Sequence, residues 1–515
     1  MRKPSPSREP AVTRRNALKQ IAGSALAARL SPWLRAETPR IRTEDNLIRA
    51  ENARPGTTDW LLKNTRTDPK AKCRCPGIEG YCSRTTVRAG ERIEIMVSAA
   101  PASPVVLDLY RLGYYGGTGA RLLTRVGPFH AGPQSDPPVG DERVRECDWP
   151  PAISIEIPRD WISGVYLGKL TAEKSGVQSY VIFIVRDERP CDFLFQCSDT
   201  TWAAYNRWPD LYSLYDDGNT GETGWYVGPG VRAGWQRPYG KYRQIFDAPL
   251  SQGSGEFLLW EFPLAFWMEK EGCDVSYISN ADTHADGQSL LRARAFLSVG
   301  HDEYWSEEMF AHVKTAVDAG VHAAFLSGNS CDGLIEFHAG ADGETHRSFS
   351  RIGKFHPNRA DLANFGSKWK RHGPDPAMLM GARSTLPYNG VADWTCVNEQ
   401  HWLFEGSGMR NGDTIPGLVG WEHHGEPANI SGLEVLARGP VLSGGRPQNV
   451  EYTSTIYVTE KGSLVFNAAT IWWSIGLSAP PGFLMPSAHG GGPKGVDSRV
   501  QRMTANLFER FRSTG

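Results

Sequence analysis

The stretch Ala295–Asn329, AFLSVGHDEYWSEEMFAHVKTAVDAGVHAAFLSGN, decides the fold of this chain. It opens with a short apolar strand that ends at Val299, and Gly300 then turns the chain. Ser306 is a good N-terminal cap, and two acidic residues follow it in the first helical turn. Gly320 ends the predicted helix, whose apolar stripe consists of Met309, Phe310, Val313 and Val317.

A second apolar strand, residues 322–326, follows this helix. A strand–turn–helix–strand unit is the building block of a parallel α/β sheet. Ligands of such sheets bind beyond the carboxyl ends of the strands. Because His301, Glu303 and Asn329 each come just past a predicted strand, we expect them to converge on one site.

The rest of the chain predicts an α+β protein of several parts, since 515 residues are enough for two or three domains. Short alternating runs separated by Gly and Pro predict a β-sandwich within residues 43–190. Residues 191–345 are predicted to form the parallel α/β domain. Residues 346–515 are expected to be rich in loops, above all over 340–440, with a few strands and a final amphipathic helix over 496–511.

A long aromatic loop runs from Leu211 to Leu250 inside the predicted α/β domain. A loop of this length usually covers a site or forms an interface. Its aromatic residues are Tyr212, Tyr215, Trp225, Tyr226, Trp235, Tyr239 and Tyr242.

The N-terminal residues 1–42 are predicted to be a targeting segment and linker. TRRNALK, residues 13–19, resembles the twin-arginine export signal, which predicts a periplasmic or secreted protein. The apolar run after it is too short to cross a bilayer, and we expect no membrane span. Residues 41–515 carry a net charge of -8 with no basic stripe, so nucleic acid is not an expected partner.

The cysteines fit an oxidising compartment. Cys73, Cys75 and Cys82 lie close together in KCRCPGIEGYC, and six others are dispersed. This spacing lacks a nearby fourth zinc ligand and predicts a disulfide-stapled loop, although the pairing stays open.

Several standard catalytic signatures are missing: the chain has no GxSxG, HExxH or P-loop motif. A nucleophilic Ser330 or Cys331 lacks a recognisable partner in the sequence. Two other functions therefore stay open as alternatives. One is an exported carbohydrate- or peptide-binding protein without catalysis, and the other is a metal-independent Ser/Cys hydrolase.

Six motifs, in order over about residues 75–475, resemble the C-terminal catalytic region of the large (beta) subunit of N,N-dimethylformamidase. They are IEGYCSRTTVRAGERIEIMVS (78–98), LYRLGYYGGTGARL (109–122), SGVYLGKL (163–170), TWAAYNRW (201–208), VGHDEYWS (299–306) and FLSGN (325–329). The resemblance implies hydrolysis of a small amide and an α/β domain of the class I glutamine-amidotransferase type. It also implies a small-subunit partner or a homo-oligomer.

The resemblance further implies one mononuclear non-haem Fe(III). Its ligands would be Tyr166, Tyr205 and Glu303, with His301 and Asn329 as the nearby catalytic residues. Glu422, in LVGWEHH, is a candidate general base.

This ligand set is chemically consistent, because phenolate and carboxylate oxygens suit a hard cation such as Fe(III). Three protein ligands leave positions for water and substrate. Tyr166 lies on a predicted strand with Gly164 and Gly168 on the same face, which would give a metal room. The site would bridge the two predicted domains.

Overall fold

The computed structural model describes residues 46–66, 73–221, 224–241, 249–340, 343–355, 369, 371–485 and 492–513. All described residues belong to one compact unit. The predicted export segment, residues 1–42, and Tyr242 of the aromatic loop lie outside the described residues. Within the described ranges, no helix is long and apolar enough to cross a membrane.

Strands dominate the described ranges. In chain order they are β1 (Glu79–Cys82), β2 (Thr86–Arg88), β3 (Arg92–Ser98), β4 (Ser103–Leu112), β5 (Ala120–Ala131), β6 (Pro151–Glu156), β7 (Gly164–Ala172), β8 (Gln178–Arg186), β9 (Cys191–Cys197), β10 (Arg232–Gly234), β11 (Val275–Ser279), β12 (Ala293–His301), β13 (Tyr304–Trp305), β14 (His322–Gly328), β15 (Gly333–His338), β16 (Ser348–Phe355), β17 (Arg371–Gly373), β18 (Ala382–Ser384), β19 (Gly390–Thr395), β20 (Thr414–Trp421), β21 (His424–Pro427), β22 (Glu434–Ser443), β23 (Arg446–Val458) and β24 (Leu464–Asn467).

The helices are short except for two near the middle and the end of the chain. They are α1 (Leu47–Asn52), α2 (Asp199–Tyr205), α3 (Phe257–Trp260), α4 (Phe262–Glu271), α5 (Asn280–Ala285), α6 (Glu307–Ala319), α7 (Ala377–Met380) and α8 (Ser498–Ser513).

Two sheets form the N-terminal part. One has the order β1-β3-β6 and the other β2-β8-β7-β4-β5. Alternating strand residues from both sheets, such as Ile95, Leu107 and Val181, meet in one hydrophobic cluster. This shared core is the arrangement of a β-sandwich.

A nine-stranded sheet with the order β11-β9-β12-β14-β24-β23-β22-β19-β20 forms the centre of the remaining chain. Its first five strands are parallel, as the strand–turn–helix–strand unit predicts. The other strands pair antiparallel. The sheet is therefore mixed, and the C-terminal residues extend the same sheet. The likeness to a class I glutamine amidotransferase stays a prediction.

Helix α6 begins and ends at the residues that the sequence predicts. Ser306 is the N-cap, and its side chain accepts a hydrogen bond from the backbone N–H of Met309. Gly320 follows the helix with φ 125°, a conformation that favours glycine. The first strand of the unit runs two residues further than predicted, to His301, because Gly300 and His301 continue the parallel pairing with β14.

The prediction that residues 340–440 are largely loop is wrong. This segment supplies strands to three sheets, including β16, β19 and β20. The strands are irregular: the pairing of β19 with β20 shifts register between Ala392 and Trp394, and β20 contains Pro416 and Gly417. Pro and Gly are typical of turns, so the sequence of these segments predicts loops. The segments form strands because they pair with neighbours in the folded sheet.

The predicted disulfide-stapled loop is also wrong. All nine cysteines are free and buried. Cys75 and Cys82 pack in the hydrophobic cluster of the sandwich, where a free thiol behaves as a small apolar residue. Burial raises the pKa of the Cys73 thiol to about 12.

A fully buried ion pair joins the sandwich to the α/β part. Arg111 on β4 contacts Glu269 on α4 through two hydrogen bonds, Nη1–Oε2 of 2.9 Å and Nη2–Oε1 of 2.8 Å. Both side chains are 1% exposed. Removal of the cation from such a pair leaves a buried, uncompensated carboxylate.

We expect Arg111→Met to lower the free energy of unfolding by about 3–5 kcal/mol, because Glu269 loses its cation. Urea unfolding checks the value. Arg88→Met is the matched control, since the Arg88–Glu188 pair is about half exposed and should contribute about 1 kcal/mol or less. Equal effects of the two substitutions would contradict the assignment of Arg111 as the connecting residue.

Candidate metal centre

The carboxyl ends of three adjacent parallel strands, β9, β12 and β14, deliver the predicted site residues. Helix α2 follows β9 and ends at Tyr205. Glu303 comes two residues after β12, and Asn329 directly follows β14. All three line one cavity. The structure therefore brings them together at the edge of the sheet where ligands bind.

Three oxygen-bearing side chains form the centre of this site. The Tyr205 hydroxyl donates to Glu303 Oε2 at 2.7 Å. The Tyr215 hydroxyl lies 2.9 Å from that of Tyr205 and 3.0 Å from Glu303 Oε1. Two phenols and one carboxylate thus form a compact triangle of oxygens on the cavity wall.

The triangle fits a hard metal cation. Metal–oxygen bonds of about 2.0–2.2 Å at right angles place neighbouring ligand oxygens about 2.8–3.1 Å apart, close to the separations observed here. In the described ranges, no group of three or more His, Cys, Asp and Glu side chains could hold a metal ion. The donor set of this site instead includes tyrosine.

The pKa values of these side chains also favour a bound cation. Burial, with Glu303 as the next cause, raises the pKa of Tyr205 and of Tyr215 well above the usual 10. A phenolate forms in such a place only beside an added positive charge. Burial also opposes the Glu303 carboxylate, yet hydrogen bonds from His301 and Tyr205 keep its pKa below 4.5.

His301 lies among three glutamates and is 1% exposed. Its Nδ1 is 3.2 Å from Glu256, and its Nε2 is 3.3 Å from Glu303 and 2.7 Å from Glu422. Burial acts against its charge, but the carboxylates, led by Glu422, raise the pKa of the imidazole well above 6.5. His301 therefore links Glu256 to the cavity wall, and the surrounding carboxylates favour its charged form.

Glu422 and Asn329 present polar groups to the cavity. Burial, opposed by His301, raises the pKa of Glu422 to about 7. Its Oε2 has no well-aligned hydrogen-bond donor among the described residues. Ser384 donates to Oδ1 of Asn329, which orients the side chain so that its amide N–H groups remain as donors.

A hydrogen-bond chain supports the phenols from behind. Arg351 Nη1 donates to the Tyr304 hydroxyl at 2.9 Å, and that hydroxyl lies 2.5 Å from the hydroxyl of Tyr215. Arg351 also donates to the carbonyls of Leu214 and Tyr226. Its guanidinium places a fixed positive charge near the Tyr215 ring, 4.9 Å from the centroid, and so fastens the aromatic loop over the site.

The turn after β12 is held by residues that do not face the cavity. Asp302 accepts hydrogen bonds from Gln196, Asn280 and Ser298. The backbone N–H of Glu303 donates to Thr201 at 3.0 Å. Because neighbouring elements hold both ends of this turn, the Glu303 carboxylate has a fixed position.

The cavity has a volume of about 240 Å³. Its walls combine aromatic and aliphatic side chains, among them Trp225, Val227 and Trp421, with a few polar groups. This volume is below the usual range of about 300–1,000 Å³ for pockets that hold drug-sized ligands. The cavity suits a small molecule.

Tyr166 lies elsewhere. It packs in the core of the sandwich, stacks on Trp161 and Phe183, and donates its hydroxyl to the Ile162 carbonyl at 2.7 Å. The space expected above the neighbouring glycines is filled: a Cβ at Gly164 would meet the Arg111 side chain at 2.8 Å. The structure therefore puts Tyr215, and not Tyr166, beside Tyr205 and Glu303.

Sequence reasoning missed four residues of the site: Tyr215, Tyr304, Arg351 and Glu256. Tyr215 was one of several tyrosines in the long loop, with no signal that set it apart. Tyr304 directly follows Glu303 in HDEYW, and its place in that turn was an available signal. Arg351 and Glu256 lie on segments that approach the site only in the folded chain.

Two neutral histidines adjoin Glu422. Both are fully buried, and burial lowers the pKa of His423 to about 3 and that of His424 to about 4. His424 donates from Nδ1 to Asn467 and accepts the Ser330 N–H at Nε2, which fixes the loop behind Asn329.

These histidines predict acid lability. In the unfolded chain a histidine has a pKa of about 6.5, so below this pH the unfolded chain binds protons that the folded chain does not bind. The free energy of unfolding therefore falls as the pH drops from about 6.5 to 4. Each contributes up to about 1.4 kcal/mol per pH unit. In urea unfolding between pH 7.5 and 4.5, His423→Gln should therefore reduce the pH slope by about that amount. An unchanged slope would contradict this role.

Two phenols and a carboxylate beside a small cavity offer hard oxygen donors at the carboxyl end of parallel strands, where ligands of such sheets bind. The chain belongs to the N,N-dimethylformamidase beta subunit-like, C-terminal family, whose family model matches residues 106–488. No curated protein matches the chain.

Proposed function

We propose that this protein is an N,N-dimethylformamidase-like hydrolase that cleaves the C–N bond of a small amide. The triangle of Tyr205, Tyr215 and Glu303 oxygens, open to a cavity of about 240 Å³, is the observation that carries the proposal. Family membership supports the reaction class. The cofactor we propose is one mononuclear non-haem Fe(III), held by these three residues.

Different residues of the chain would take different roles in the reaction. When bound, a hard cation supplies Lewis-acid polarisation of the amide carbonyl and acidifies a bound water. Glu422 takes a proton from the attacking water, because it is a buried carboxylate on the cavity wall with a pKa of about 7. Asn329 donates an amide N–H to the oxyanion that develops on the carbonyl.

His301 acts by positioning and by charge. It touches both Glu303 and Glu422, and Glu256 holds its other nitrogen. The imidazolium keeps Glu422 from full protonation and can return a proton to the leaving amine through that carboxylate. Aromatic residues of the loop, such as Trp225, form part of the cavity wall.

The metal-independent alternative has little support at this site. Burial raises the pKa of the Cys331 thiol well above 9, the opposite of an activated nucleophile. Ser330 contacts the hydroxyl of Ser327, and its backbone N–H occupies His424 Nε2. Among the described residues, neither side chain has a base in the arrangement that acyl transfer needs.

Export and assembly complete the proposal. The twin-arginine-like residues 13–19 support a periplasmic or secreted location. The family's name describes a beta subunit, which supports a complex with a second, smaller subunit or with further copies of this chain.

The test is an assay of the metal-free and the iron-reconstituted protein against small formamides and acetamides, with amine release as the readout. We expect hydrolysis only after iron is restored, with zinc-loaded protein as the control. Hydrolysis that does not change on removal of iron would contradict the proposal, as would an iron-loaded protein inactive on every amide.

A further inference from the structure

A second cavity, of about 590 Å³, adjoins the segment that carries Tyr215. Leu211, Tyr212 and Asp216 line it, whereas Tyr215 lines the candidate metal centre. The second cavity is therefore built on the same loop but serves none of the steps proposed above.

Two guanidiniums lie against one aromatic ring in this cavity. The Cζ atoms of Arg143 and Arg145 are 4.6 Å and 4.4 Å from the centre of the Tyr212 ring. Arg143 also donates to the backbone carbonyls of Asp216 and Leu211. The ring packs against both planar groups and the carbonyls hold that of Arg143, which limits the conformational entropy that these side chains lose when a ligand binds.

Arg145 lacks a counterion. Its side chain lines the cavity although the residue is only 8% exposed. Within the described ranges it makes no ion pair or hydrogen bond, and its Nε is buried without a partner. A buried charge is costly unless it is paired, so the site favours an added anion.

Two of the three carboxylates that line this cavity are paired with other arginines. Asp136 is bound to Arg74 through two contacts of 3.0 Å, and Asp216 is bound to Arg207. The positive charge around Tyr212 is therefore only partly compensated.

We propose that this cavity binds a small oxyanion, a carboxylate or a phosphate, between Arg145 and Arg143 beside Tyr212. A guanidinium presents parallel N–H donors that match two oxygens of such an anion. The acidic residues on the remaining wall select against larger polyanions. The bound anion would also stabilise the loop on which Tyr212 and Asp216 flank Tyr215.

Isothermal titration of the full chain with inorganic phosphate, and separately with acetate, at constant ionic strength tests the proposal. We expect saturable binding of about one anion per chain. Binding of phosphate alone identifies a tetrahedral ligand, and binding of acetate alone or of both identifies a carboxylate-compatible site. Arg145→Gln should weaken binding at least tenfold.

Two further variants make the test specific. Arg145→Lys keeps the charge but loses the planar fork, and it should bind with intermediate affinity. Arg438→Gln removes an exposed arginine on β22 and should bind as the wild type does. Circular dichroism verifies that each variant is folded. If Arg145→Gln does not fold, the affinity of Arg145→Lys tests the proposal instead. The absence of saturable binding by the wild type, or wild-type affinity in a folded Arg145 variant, overturns the proposal.

Discussion

Tyr215→Phe should lower the affinity of the protein for iron by about 100-fold or more. Loss of an outer-shell partner alone costs about 10–100-fold in metal affinity, and the hydroxyl of Tyr215 lies within 3.0 Å of both other proposed ligands. Iron titration followed by the visible charge-transfer band of tyrosinate measures the change.

Tyr166→Phe is the matched control for this prediction. It removes the same hydroxyl from a tyrosine of the sandwich core, where the group donates only to the Ile162 carbonyl. Iron affinity and the position of the visible band should stay within about twofold of the wild type, since the effect is confined to one hydrogen bond. The reverse pattern, with Tyr166 needed and Tyr215 dispensable, would contradict the ligand set.

Glu422→Gln should lower kcat by about 10²–10³-fold, the usual contribution of a general base. The carboxylate lines the cavity and touches His301, but it is not one of the three oxygens of the triangle. We therefore expect iron content and KM to change little. Steady-state kinetics with iron analysis of the same sample separate these effects.

Glu426→Gln controls for the loss of a carboxylate in the same segment. Glu426 is exposed and pairs with Arg383 at the surface, so its substitution should leave kcat within about twofold because surface pairs contribute little. If Glu422→Gln loses iron instead of turnover, Glu422 belongs to the metal ligands and the proton transfer must be assigned to another group.

The position of Glu303 follows from local sequence alone. An apolar strand, a glycine turn and a well-capped helix define the strand end, and parallel strands place their carboxyl ends at one edge. For the same reason His301 and Asn329 come out close to Glu303 in the structure. Local sequence patterns suffice to predict these positions, because each strand end, turn or helix cap lies within a few residues of the side chain in question.

The second tyrosine could not be chosen from the sequence. Tyr166 has the right alternation and small neighbours, but Arg111 fills the space above Gly164 to reach Glu269, a contact between residues 158 positions apart. Tyr215 reaches the site because distant Arg351 fastens its loop. Such long-range contacts leave no periodic pattern in the chain.

The irregular strands of the C-terminal part were hidden for a related reason. Strands such as β20 carry proline and glycine, so their local propensity favours turns. They become strands because the central sheet offers them a partner. Glu422 directly follows β20, so the position of the candidate general base could not be derived before that pairing was known.

The most direct test of the account is anomalous diffraction at the iron edge from crystals of the iron-reconstituted protein. The account predicts one strong peak within about 2.0–2.2 Å of the hydroxyl oxygens of Tyr205 and Tyr215 and of a Glu303 oxygen. A peak at Tyr166, a peak at any other site alone, or no iron peak from fully reconstituted protein would contradict it.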